Sequence, residues 1–213
     1  MNYSASQDHE TDCGTSWTLA RAGVYELLSH LLMHELDLDG LQRLNHSEIR
    51  DELASLGVEV PTATPQHVAE LEVDFCRIFI GPKEFAAPYQ SVWQSGILQG
   101  SAVKSMRAFL EIVTPISDQA MPDHAGFQLE VMALILQFEN ENSEGRDLSL
   151  RFFLNHISWT GSLFRRAQLL AQSRFYETLL RAAAEFIAGE TLFYEELVGE
   201  QLQKSLCESK EET

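Results

Sequence analysis

The sequence predicts an all-α fold, a single-domain helical bundle. Three observations carry that prediction. Apolar residues recur at three- and four-residue spacing along nearly the whole chain. No run alternates cleanly between apolar and polar, and no Asn-Gly or Asp-Gly turn joins two β-branched runs. All prolines lie before Asp123, so the C-terminal half is free to form helix hairpins with short loops.

The elements follow in order. Residues 1–15 are polar and read as a flexible N-terminal segment, 16–202 as the helical domain, and 203–213 as a charged tail. A first helix is expected over Ser16–Glu35, with Leu19, Gly23, Leu27 and Leu31 on one stripe. A second covers Leu38–Leu56, with a break near Asn45-His46-Ser47. Thr64 caps the third and Pro65 takes its first position, where a missing N–H costs nothing. Val68, Leu71, Phe75, Ile78 and Phe79 form its apolar face. Gly81-Pro82 ends it, with Gly81 expected in the left-handed conformation. An aromatic-rich loop follows, then a helix over Ser101–Val113 with Val103, Met106 and Leu110 inward. Thr114–Met121 is a linker. Asp123–Asn140 is apolar nearly all round at Val131–Leu136, the mark of a central helix. After a polar loop over Glu139–Gly145, helices at Arg146–His156, Ser162–Ala171 and Phe175–Leu197 complete the set.

Composition narrows the function. The 213 residues include 15 Lys and Arg against 32 Asp and Glu, a formal charge of −17. That balance argues against nucleic acid and anionic membrane surfaces, and suits a basic partner. No stretch is long and apolar enough for a membrane span, so stable membrane insertion is not expected. The N-terminal residues lack the basic start and apolar run of a secretory signal. Cys13, Cys76 and Cys207 are scattered without a C-x-x-C, which suits a reducing, cytoplasmic setting. Cys76 falls on an apolar helical face and reads as a buried thiol.

Two places concentrate chemistry. Pro122-Asp123-His124 opens the most apolar segment. Asp123 there either caps its own helix, leaving His124 on the surface, or pairs with His124 at the mouth of a pocket. As a hydrolytic dyad the pair needs a nucleophile; Ser91 qualifies only if the fold brings it near, and no G-x-S-x-G is present. The second place is Gly81–Trp93, where Phe85, Tyr89 and Trp93 crowd one loop. They either plug that loop onto the core or line a groove for an apolar helix, and Trp17, Tyr25 and Trp159 could join either arrangement. His30 and His34 are four apart near Glu26 and Glu35, but Leu31 stands where H-E-x-x-H has its glutamate. No third ligand is indicated, so neither metal nor cofactor is expected. Arg165, Arg166, Arg174 and Arg181 read as a solvated face paired with Glu177 and Glu185.

With those residues in place, the sequence resembles the TorD/DmsD family of redox-enzyme maturation chaperones. Phe75-Cys76-Arg77-Ile78-Phe79-Ile80-Gly81-Pro82 is similar to the family's F-x-R-L-F-x-G-P helix end. Pro88-Tyr89-Gln90-Ser91-Val92-Trp93 resembles its P-aromatic-x-S-V-aromatic loop. Pro122-Asp123-His124-Ala125-Gly126-Phe127 resembles its E-P-x-D-H-x-G signature, except that Ala120 and Met121 stand where the family has its glutamate and proline. Phe175-Tyr176 matches its later helix pair, and the resemblance runs from about Leu19 to Ile187. It implies an all-helical cytoplasmic chaperone without catalysis. Such a protein binds the twin-arginine signal peptide of a molybdopterin-containing oxidoreductase and holds the apoprotein until its cofactor is inserted. Pro88, Tyr89, Ser91, Trp93, Asp123, His124 and Phe127 would then contact the peptide, with Asp123 as anchor for an arginine. Two other readings remain: a hydrolase built on Asp123 and His124, and a self-associating scaffold. The expected state is a monomer or a dimer swapped through the Thr114–Met121 linker.

Overall fold

The computed structural model describes residues 7–82, 84–113, 121–141 and 145–211, with side chains over 17–82, 84–111, 121–140 and 148–201. The Thr114–Met121 linker up to residue 120, Ala120 of the third motif, Lys83, and the centre of the polar loop at 142–144 lie outside the described residues.

Within them the chain is an all-α, single-domain bundle of ten α-helices. These are α1 (Gln7–Met33), α2 (Leu38–Leu44), α3 (Ser47–Ser55), α4 (Pro65–Phe75), α5 (Gln90–Ser95), α6 (Ser101–Val113), α7 (Ala125–Glu141), α8 (Gly145–Phe152), α9 (Thr160–Leu170) and α10 (Arg174–Glu211). A π-helical turn extends α4 over Cys76–Ile80, and a second extends α8 over Phe153–Ile157. Among the described residues the isolated β-bridge is Tyr89 with His124.

Local signals set most boundaries. Thr64 Oγ1 accepts from His67 N and Pro65 opens α4. Asp37 does the same work for α2, accepting from Gly40 N. The break expected near Asn45 separates α2 from α3, and Asn45 Nδ2 donates to Leu41 O and Pro61 O to hold the corner. α6 keeps Val103, Met106 and Leu110 buried. α5 emerges inside the loop expected to be irregular, and Gly96 ends it at φ 72°, a left-handed conformation that glycine adopts without steric cost.

Several expectations are corrected. Gly81 has φ −43°, so the third helix does not end on a left-handed glycine. Its glycine requirement is one of space, because a Cβ there would stand 3.0 Å from Arg77 O. Cys76 is exposed, because one step past Phe75 it lies more than a quarter-turn off the face shared by Phe75, Ile78 and Phe79. The buried face of α1 is shifted from the expected stripe: Leu31 is buried and Leu27 half-buried as expected, but Gly23 is exposed, Leu19 is 45% exposed, and Arg21, Ala22, Tyr25, Leu28 and Leu32 are buried. α1 is already helical at Gln7, and α10 extends to Glu211, roughly 57 Å in all at 1.5 Å per residue.

The rotation of α1 has a physical cause. Arg21 is drawn inward by Glu190 of α10, donating from Nε to Oε1 at 2.8 Å and from Nη2 to Oε2 at 2.7 Å. The same guanidinium donates to Tyr194 Oη at 2.8 Å, while Tyr25 Oη donates to Glu190 Oε2 at 2.8 Å. Its carbon lies 4.5 Å from the ring centroids of Trp17 and Phe193. Burial lifts the Tyr25 phenol well above its ordinary pKa and Tyr194 to about 12, so both keep their protons.

α7 lies in the middle, packed most extensively against α1, with Leu129, Met132, Ile135 and Leu136 buried. α9 and α10 form the C-terminal hairpin, and Phe152, Phe153, Leu163, Phe164, Phe175 and Tyr176 fill the core around it. Buried Asp74 stitches α4 to that hairpin, accepting from Gln172 N, Ser173 N and Arg77 Nη1. Arg174 pairs with Glu177 and Glu59, and Arg181 with Glu185, so these arginines form the solvated face expected of them.

Candidate functional site

The aromatic loop and the Asp123-His124 turn, more than thirty residues apart in sequence, are joined directly. Gln90 N donates to Asp123 O at 2.9 Å, and Ala125 N donates to Pro88 O at 2.7 Å. This short antiparallel bridge sets Tyr89 against His124, with ring centroids 5.1 Å apart in an edge-to-face arrangement.

Asp123 is fully buried, and its role differs from both readings of the sequence. It does not cap its own helix. Tyr89, at the N-cap of α5, offers no side-chain acceptor. Asp123 supplies one from across the bridge, accepting from Ser91 N through Oδ2 at 3.1 Å. His124 takes over the start of α7: its Nδ1 accepts from Gly126 N at 3.1 Å and its carbonyl accepts from Gln128 N. Burial lowers the His124 pKa, opposed by the neighbouring Asp123 charge. That favours the neutral ring whose Nδ1 acts as acceptor. Gly126 is required by space, since a Cβ would fall 2.5 Å from Met33 Cγ.

The bridge forms one wall of an apolar groove of about 460 Å³. Leu32 and Met33 of α1, Phe75, Phe79 and Ile80 of α4 and its π turn, Phe85, Tyr89, Leu98 and His124 line it. Phe85, Ile80 and Leu98 are exposed at its rim, at 42%, 62% and 55%. The π turn contributes two of these residues, Phe79 and Ile80.

The sequence-predicted residues therefore divide. Pro88, Tyr89 and His124 line the groove. Ser91 and Asp123 stand behind it, fully buried, and Phe127 is in the core. Trp93 is 37% exposed outside the groove; its Nε1 donates to Ala87 O at 2.7 Å and pins the loop to α5. Its ring lies 6.2 Å from that of Trp159. Trp17 and Tyr25 belong to the Arg21 cluster.

Behind α5 lies a polar network that sequence reasoning missed. Gln128 Nε2 donates to Gln90 Oε1 at 2.7 Å, and Gln90 Nε2 donates to Asn155 O at 2.6 Å. Trp159 Nε1 donates to Gln128 Oε1 and His156 O. His156 Nδ1 lies 3.2 Å from Gln90 Oε1 and its Nε2 lies 3.3 Å from Ser105 Oγ. Burial lowers His156 to about 4. The available signal was two glutamines at inward positions, Gln90 in a motif and Gln128 in an apolar helix.

Neither rival chemistry is assembled. Among the described residues Ser91 Oγ has no hydrogen-bond partner, and His124 Nδ1 is engaged by Gly126 N. His30 and His34 have ring centroids 5.2 Å apart, and among the described residues no group of three or more His, Cys, Asp or Glu is placed to hold a metal ion. Among the described residues no helix is long and apolar enough to cross a membrane.

Comparison with known proteins follows the same lines. Residues 42–165 match the family model described as nitrate reductase delta subunit. A protein named chaperone protein TorD from Vibrio cholerae is 26% identical, the match covering 84% of this chain and 94% of that protein. One of the same name from Aliivibrio fischeri is 26% identical over 83% of this chain and 98% of its own length. A third, from Shewanella pealeana, is 23% identical over 82% and 90%.

Proposed function

The chain belongs to the nitrate reductase delta subunit family, which includes the TorD-type redox-enzyme maturation chaperones, and from that premise we propose that it is a cytoplasmic chaperone for a twin-arginine signal peptide. Its client is the apoprotein of a molybdopterin-containing oxidoreductase, held for cofactor insertion before export. It makes and breaks no bonds, and works as a monomer or domain-swapped dimer.

One observation carries this reading. The groove between Phe79, Phe85, Tyr89 and His124 is open, apolar and built by residues from four separate segments. A signal peptide contains an apolar run of about ten residues, which suits such a groove. The net charge of −17 suits the basic stretch ahead of that run. Tyr89 and His124 give the groove edges that hydrogen-bond or stack on a peptide, and Asp123 fixes them from behind. The hydrolase reading has less support, because Ser91 Oγ has no hydrogen-bond partner among the described residues and His124 Nδ1 is taken by Gly126 N.

Isothermal calorimetry tests the proposal. The titrant is a synthetic leader with two consecutive arginines followed by about ten apolar residues. Saturable binding with a negative heat-capacity change is expected, because apolar surface is buried. Absence of binding at micromolar peptide would overturn the reading.

A further inference from the structure

A second groove, of about 630 Å³, runs along the seam of α1 and α7 and is walled by α2 and α3. It shares one residue with the first groove, Met33, which Gly126 of α7 lets sit between the two. Its chemistry is different. Glu26 and His30 on α1 and His34 just past its end form a ridge of one residue per turn, and Glu130 faces them from α7. Leu134 and Ile49, 50% and 38% exposed, give it apolar seats. The hydroxyl of Ser29, a residue only 6% exposed, lines the groove and makes no hydrogen bond among the described residues. Glu26 and Glu130 are exposed and form no ion pair among the described residues. Arg43 on the far wall is the cationic member, shared with a shallower depression that holds Asp39.

We propose that the two grooves are one bipartite site: the apolar run of the signal peptide lies between Phe85 and His124, and the paired arginines lie in the α1–α7 seam against Glu26 and Glu130. The inference rests on the chaperone reading above and divides the peptide between its two halves. Reach permits it. Met33 and Glu26 are seven residues apart on α1, about 10 Å along the axis. Three extended peptide residues, at about 3.3 Å each, cover that span. Chemistry permits it too. An arginine stem packs on apolar surface while its guanidinium binds a carboxylate in a fork, which Leu134 and Ile49 beside Glu26 and Glu130 supply. Ser29 Oγ adds a buried polar partner for the peptide backbone.

A double-mutant cycle between protein and peptide tests the division. The protein is wild type or Glu26→Gln/Glu130→Gln; the synthetic leader carries either two arginines or two glutamines before the same apolar run. Wild type is expected to prefer the diarginine peptide by about fivefold at low salt, and the variant to bind both peptides alike. Arg43→Gln is expected to widen the wild-type preference. Both glutamates are exposed, so thermal melts of the variants should superimpose on wild type. Equal binding of both peptides by wild type, or an undiminished preference in the double variant, overturns the bipartite site and leaves the chaperone reading intact. Failure of wild type to bind either peptide overturns both.

Discussion

The Arg21–Glu190 clamp and the Asp123–Ser91 junction are both buried and both polar, yet they are finished differently. In the clamp each carboxylate oxygen of Glu190 accepts from Arg21, Tyr25 joins Oε2, and aromatic faces cover the guanidinium. At the junction Asp123 Oδ2 accepts from Ser91 N, but Asp123 Oδ1 and Ser91 Oγ are buried with no partner among the described residues. The first arrangement locks α1 to α10, and none of its side chains lines either groove. The second holds a six-residue helix whose only outward product is the placement of Tyr89 and His124. The difference assigns the clamp to stability and the junction to the geometry of the groove.

The clamp should show the largest effect on stability. Glu190→Ala strands the Arg21 charge and the Tyr25 hydroxyl in the interior, which costs about 3–5 kcal/mol. The melting temperature should fall by roughly 10 °C. Peptide affinity, measured well below the new midpoint, should be unchanged. A loss below about 1 kcal/mol, or a parallel loss of affinity, would erase the distinction between the two regions.

His156 tests the packing that connects them. It lies behind α5 in the Gln90–Gln128 network, with a pKa lowered by burial to about 4. In the unfolded chain the same ring titrates near 6.5. The folded state therefore binds fewer protons between these values. Its contribution is complete above about pH 6.5 and is lost as pH falls toward 4. Denaturant unfolding at pH 7 and pH 4.5 should show wild type losing on the order of 2 kcal/mol more than His156→Gln, since the carboxylates titrate alike in both. Equal losses would mean that the ring is hydrated in the folded protein.

How much of this was legible in the sequence depends on which force decided each position. Where one local interaction dominates, the sequence reads correctly: Thr64-Pro65 starts α4, Asn45 breaks α2 from α3, and the apolar centre of α7 is buried except for Leu134. The nearness of the aromatic loop to Asp123-His124 came from a family resemblance; no spacing rule contains a bridge across more than thirty residues. Where a distant charge decides, periodicity misleads. Arg21 occupies the buried stripe of α1 because Glu190 waits 169 positions later, and nothing local signals it. Asp123 looked like the cap of the helix it precedes, but the first amide it reaches belongs to Ser91. The π turn hid in the same way: nothing local announces it over Cys76–Ile80, and Ile80 at its end stands exposed at the groove rim. The second groove was invisible because Glu26 and His30 read only as part of a metal-pair pattern on one helix, and nothing local brings Glu130 of α7 to face them.

The junction and the groove rim should show the smallest stability effects and the clearest functional ones. Asp123→Ala removes the acceptor for Ser91 N and, as the loss of a helix cap, costs about 1 kcal/mol. Because the same bond fixes the start of α5, and Tyr89 is the residue just before it, peptide affinity should fall about tenfold, equivalent to about 1.4 kcal/mol. Phe85→Ser removes an exposed ring that touches the groove, so stability should change by no more than about 0.5 kcal/mol. Its affinity loss should nonetheless be severalfold, through lost apolar contact of roughly 25 cal/mol per Å². Set beside Glu190→Ala, the two variants invert the order: the change that costs least in folding costs measurably in binding. If Phe85→Ser bound peptide like wild type while Asp123→Ala did not, the junction would be acting on some surface other than the groove it supports, and the peptide would lie elsewhere.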